Sequence, residues 1–124
     1  MAIVISRSES QLAGTSSFQA LDNLAGASVS SSFTVPTNVS AIKSLTIAVT
    51  ADGAEEFVPL VKVSGNAMKD GDAVFSGAPI MGAIAMASMQ YDTDLKVQPG
   101  NSCEFSIAVT DDATISAVVT AQFS

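Results

Sequence analysis

The residues best equipped for chemistry in this 124-residue chain are carboxylates in close pairs: Glu55-Glu56, Asp70-Gly-Asp72, Asp92-Thr-Asp94 and Asp111-Asp112. Two carboxylates facing across a cleft can hydrolyse a glycosidic bond by acid–base chemistry. Sugar sites also want stacking aromatics, and the chain has no Trp and one Tyr. Turn and solvent roles therefore account best for these acids. Asp70 with Asp72, and Asp92 with Asp94, have a spacing that offers oxygen ligands to a calcium ion, although neither pair extends into a full calcium-loop pattern. Zinc chemistry is not expected, because there is no His and Cys103 is the single cysteine.

Nucleophilic catalysis fares no better. Without His, the base would have to be a Lys or a carboxylate. Ser40-Ala-Ile-Lys43 matches the letters Ser-x-x-Lys, but it opens a strand-like segment rather than a helix, on which the hydroxyl and amine would share a face. Gly65, Gly71 and Gly77 are too loosely spaced for a phosphate-binding loop and are not followed by Lys-Ser or Lys-Thr. Asn38-Val-Ser40 is a formal glycosylation sequon, a three-residue match that arises often by chance. Cys103 lies in phase with Phe105 and Ile107 and reads as an inert core thiol. Tyr91 reads as a cap on the core. No catalytic residue and no cofactor are expected.

The elements that would carry these residues read as strands. Cys103, Phe105, Ile107 and Val109 alternate with polar or small residues, as do Ile115, Ala117, Val119, Ala121 and Phe123; each set marks one buried face of a strand. Asp111-Asp112 between them predicts a hairpin turn. Leu45, Ile47 and Val49 repeat the alternation and run into Asp52-Gly53, a second predicted turn, with a further strand at 57–63. Val29 to Val35 ends at Pro36, which has no N–H to donate, and Leu95 with Val97 leads into the turn pair Pro99-Gly100. Phe18, Leu21, Leu24 and Ala25 sit at helical spacing before Gly26 and predict a short helix or ordered arm. The stretch 77–88, rich in Gly, Ala, Met and Ile, has no clean period. The whole predicts an all-β, single-domain antiparallel β-sandwich, a jelly roll, with an N-terminal strand and arm or short helix at 1–28 and the sandwich at 29–124.

Composition bounds the partners. Charged residues supply 14% of the chain, against about 25% in ordinary soluble domains. The surface must draw its polarity from Ser and Thr, and burial between subunits explains such a surface naturally. The net charge is −7, and the five cations, Arg7, Lys43, Lys62, Lys69 and Lys96, are scattered. No basic patch for phosphates can form, so nucleic acid is not an expected partner. The mainly apolar run 80–89 is about half of the roughly 20 residues that span a bilayer. The N-terminal residues 1–7 have neither the basic start nor the long apolar core of a secretory signal.

The run Asp94-Leu-Lys-Val-Gln-Pro-Gly100 leading into Phe105-Ser-Ile-Ala-Val109, the closing Thr120-Ala-Gln-Phe123, and Phe33-Thr-Val-Pro36 followed by 42–49 resemble single jelly-roll viral capsid proteins in strand layout and turn placement. The resemblance implies a subunit whose loops and N-terminal arm join neighbouring copies, and other shell proteins, in a virion. It departs from shell proteins that touch a packaged genome, because the segment before Val29 carries only Arg7 where those have a basic arm. The expected contacts between subunits are Ile3 and Ile5, the arm residues Phe18, Leu21 and Leu24, and Met81, Met86 and Met89. Two other readings share the fold: an extracellular filament or pilus-like subunit donating the strand at 2–5 to the next copy, and a carbohydrate-binding or adhesion module.

Overall fold

In a computed structural model, residues 3–13, 17–24, 26–52, 58–76, 84–109 and 114–124 are described, with the backbone alone at 10–13, 51–52 and 84–87. Eleven strands run through them: β1 (Ile3–Ala13), β2 (Gln19–Ala20), β3 (Asn23–Leu24), β4 (Ala27–Ser28), β5 (Ser32–Thr34), β6 (Ala41–Asp52), β7 (Pro59–Ser64), β8 (Ala73–Ser76), β9 (Ile84–Lys96), β10 (Ser102–Val109) and β11 (Thr114–Phe123). They form two antiparallel sheets packed as a sandwich. One has the order β4-β3-β1-β11-β6-β9; the other has β2-β10-β7-β8, with β5 also on β10.

The alternation in the sequence is realised strand by strand. Leu45, Ile47 and Val49 of β6 and Ile115, Ala117, Val119, Ala121 and Phe123 of β11 are buried on the inner face of the six-stranded sheet. Val61, Val63, Cys103, Phe105 and Ile107 meet them from the other sheet. Phe33 links the layers: its ring centroid lies 5.1 Å from that of Phe105 and 6.1 Å from that of Phe123, with tilted and edge-on geometries favoured by aromatic quadrupoles.

The structure corrects three local expectations. β10 and β11 are not a hairpin. β10 pairs with β7, β5 and β2, whereas β11 pairs with β1 and β6, so the chain crosses between sheets; Asp111 and Asp112 lie outside the described residues. β6 and β7 likewise belong to different sheets. Alternation identifies a strand with one wet face but says nothing about which sheet it joins. Of the short helix or ordered arm expected around Phe18 to Ala25, the described residues hold no helix; β2 and β3 lie there instead. A segment this short cannot hold a helix without tertiary support, and here Leu21 is drawn into the core while its N–H donates to the Phe105 carbonyl at 2.9 Å.

The N-terminal strand finds its neighbour in its own chain. β1 pairs with β11 from Ile3↔Phe123 to Ala13↔Thr114, with a bulge between Glu9 and Leu12. At the opposite end of the chain's middle, Gly100 has φ +83° after Pro99, as a type II turn requires, and the Asn101 N–H reaches the Gln98 carbonyl at 3.3 Å.

Candidate assembly surface

Cross-strand partners in an antiparallel sheet point to the same side, so the register defines the outer face of the six-stranded sheet. One row crosses it as Ser8↔Val118, Val118↔Ala48 and Ala48↔Ser88. The next is Ser6↔Thr120, Thr120↔Thr46 and Thr46↔Gln90. A third runs Val4↔Gln122, Gln122↔Ser44 and Ser44↔Asp92. Among these twelve outward residues only Asp92, at one corner, is ionisable.

Several polar groups of this face are hydrogen-bonded within the subunit. Ser6 and Thr120 share a hydroxyl–hydroxyl hydrogen bond of 3.1 Å, the Ser44 hydroxyl donates to the Gln122 side-chain oxygen at 3.3 Å, and the Ser8 hydroxyl donates to the Asn23 carbonyl at 3.3 Å. Val118 stands clear, 42% exposed. Beside it a groove of about 370 Å³ is lined by Ala48, Thr50, Ser88 and Ser116, by Asn23 and Gly26, and by one carboxylate residue, Glu9.

Charge is gathered at one end of the sheet. Asp94 accepts from Lys43 at 2.6 Å and pairs with Lys96 at 3.1 Å. These two ammonium groups, Lys43 foremost, hold the Asp94 carboxyl below its ordinary value. That pairing is what the structure gives to one of the four candidate calcium ligands; Asp70, Asp72 and Asp92 are exposed. Among the described residues no three His, Cys, Asp or Glu side chains gather around a common point.

The expected contact residues are distributed unevenly. Ile3 and Ile5 face inward and pack against the chain's own core, leaving Val4 between them 62% exposed. Leu21 is fully buried within the subunit. Leu24 is exposed, and Phe18 is half-buried with the Lys62 ammonium 4.7 Å from its ring centroid. Met89 faces inward opposite Ile47, near the Tyr91 hydroxyl. Met86 lies in β9 opposite Thr50, and Met81 falls outside the described residues. Tyr91 packs on Phe75, with centroids 5.3 Å apart, and its hydroxyl donates to the Ser76 carbonyl. Sequence reasoning missed the outer face itself. Its signal was present, as Ser, Thr and Ala alternating with core residues, but only the register joins four strands into one surface poor in charge.

No known family model matches this chain, and no curated protein matches it in sequence. Solved structures do match in fold. The globular domain of zebrafish complement 1qA protein aligns over 97% of this chain and 94% of its own, with a TM-score of 0.59 and 11% identity. A chain in the structure of infectious bursal disease virus, Gx strain, aligns over 98% of this chain at a TM-score of 0.53 and 12% identity. This chain spans 31% of that one. At such identities the likeness is one of fold: a jelly-roll-type β-sandwich.

Proposed function

We propose that this protein is a self-assembling structural subunit, and that its assembly is a closed shell of the viral capsid type in which copies of this chain, alone or with other shell proteins, form the wall of a virion. The observation that carries the reading is the scarcity of charge on the outer face of the six-stranded sheet in a chain of net charge −7. An acidic monomer gains solubility from charge spread over its surface; here the three rows through Val118, Thr120 and Gln122 carry one ionisable residue, Asp92, among twelve.

The other two readings draw less support. A filament built by strand donation needs a gap in each sheet for the neighbour's terminal strand, and β1 already fills that place beside its own β11. A carbohydrate-binding module needs aromatic faces open to sugar rings. Among the described residues, Phe33, Phe105 and Phe123 are buried, Phe75 and Tyr91 stack on each other, and Phe18 is paired with Lys62.

Light scattering of the purified protein, followed by negative-stain microscopy of its largest species, tests the proposal. Uniform closed particles are expected. Open fibres would replace the shell by a filament, and a monomer at all concentrations, with or without a partner shell protein, would overturn the assembly reading.

A further inference from the structure

We infer that two copies of this chain stack face to face through the outer surface of the six-stranded sheet, about a two-fold axis parallel to the strands and lying between β11 and β6. The inference rests on the assembly reading and names the contact that starts it.

Shape selects the axis. Rotation about a line between β11 and β6, in the plane of contact, carries each strand over the other's counterpart. The row Ser8, Val118, Ala48, Ser88 then meets its own reverse: Val118 of each copy seats over Ala48 of the other, and Ser8 over Ser88. The projecting Val118 enters the groove floored by Ala48, Ser88 and Ser116, and the same contact is made twice, as an isologous interface demands. In the next row Thr120 meets Thr46. A two-fold axis across the strands would instead set Val118 on Val118 and groove on groove, leaving both unfilled.

Size and polarity agree. With β11 ten residues long and four long strands side by side, spacings of about 3.3 Å per residue and about 4.8 Å per strand give about 600 Å² per copy. Two copies bury about 1,200 Å², the lower bound of a standard stable interface at roughly 1,200–2,000 Å². The pairs Ser6 with Thr120 and Ser44 with Gln122 keep a hydrogen bond each within one copy, which reduces the cost of desolvating them, and the remaining hydroxyl and the Gln122 amide N–H groups are left to bond across the contact. The repulsion between two acidic chains is reduced where the central rows carry no charge; Asp52, in register with Thr114, and Asp92 lie at opposite ends of the contact, and Glu9 lines the groove.

Analytical ultracentrifugation of the full chain and of Val118→Lys tests the contact, with Val74→Lys as control, because Val74 is 55% exposed on the other sheet. Circular dichroism and thermal melting check that each variant folds. Val118→Lys is expected to remain folded and to weaken association at least 100-fold, while Val74→Lys associates as the parent does. Mixing Val118→Cys with Ala48→Cys preparations under oxidation is expected to give mixed covalent dimers in excess over either self-linked dimer. Association unchanged in Val118→Lys, or self-linked Val118→Cys dimers alone, overturns the stacking while leaving assembly by another surface standing. A parent chain that never associates overturns both.

Discussion

The Arg7 guanidinium carbon lies 5.2 Å from the centroid of the Phe33 ring, joining β1 of one sheet to β5 of the other. Arg7 faces inward opposite Val119, and its Nε donates to the Ser30 carbonyl at 3.1 Å. A cation on the inner side of a sandwich is placed there by the ring face and a backbone carbonyl together. Arg7→Ala is expected to lower stability by about 1 kcal/mol, the size of one partly desolvated cation–π contact, and Arg7→Lys to recover part of it. Chemical denaturation of the three proteins measures both.

Gly65 has φ +124°, and a β-carbon there would stand 2.4 Å from the Ser102 carbonyl oxygen. That same carbonyl accepts the Ala67 N–H at 2.9 Å, so the backbone cannot simply retreat. Gly65→Ala combines a strained φ with a steric clash and is expected to cost about 1–3 kcal/mol or more. Gly71→Ala, with open space around it, carries only the φ strain and should cost less. Thermal melts of the pair separate the two effects.

Ser106 is buried in β10, and its hydroxyl finds no hydrogen-bond partner among the described residues. Ser106→Ala removes a polar group whose burial costs about 1–3 kcal/mol when unpaired, at the loss of one small atom's packing. The variant is expected to match or exceed the parent in denaturation midpoint. A marked loss of stability would show that the hydroxyl is partnered in solution.

Burial pushes the Cys103 thiol from an ordinary value near 9.0 up to about 12. Between those values the unfolded chain releases the proton that the folded chain retains, so unfolding gains. Stability is therefore unaffected by Cys103 below about pH 9 and falls as pH rises toward 12. Cys103→Val should flatten this alkaline loss in melts taken across that range. Native protein at pH 8 is expected to resist thiol reagents until denatured.

Asp94 titrates in the opposite sense. Its lowered value means that its stabilising contribution is present above 3.8, where the unfolded carboxylate is already ionised, and is lost as pH falls through the folded value. Carboxyl-resolved NMR titration should place Asp94 below 3.8, with Lys43→Met returning it further toward that value than Lys96→Met. Raising salt to about 1 M, where the screening length is about 3 Å, should diminish the shift, since all three side chains are solvent-exposed.

Much of the sandwich was legible in the chain because period-two alternation has one physical cause, burial of a single face. Cys103, Phe105 and Ile107, and Ile115 to Phe123, are buried as their phase requires. Sheet partners were not legible. A pair such as Asp111-Asp112 suits a tight turn and a crossing between layers equally well. Phe18, Leu21 and Leu24 misled because three apolar residues at intervals of three also suit an extended chain that dips into the core once, at Leu21. The candidate assembly face was half legible: its scarcity of charge is in the composition, but Val118 and Ala48 become neighbours only through the β11–β6 register.

The strand in the middle of the six-stranded sheet is the last of the eleven in chain order, and it holds β1, the first, against β6. A nascent chain therefore carries two unpaired strand edges, and the row from Ser8 to Ser88 lacks its central Val118, until β11 has emerged. Non-local closure of this kind is slow compared with local pairing. Under the proposed stacking it would also act as an inspection step: a chain truncated before β11 lacks Val118 and the surface around it, and would be excluded from the assembly by geometry alone.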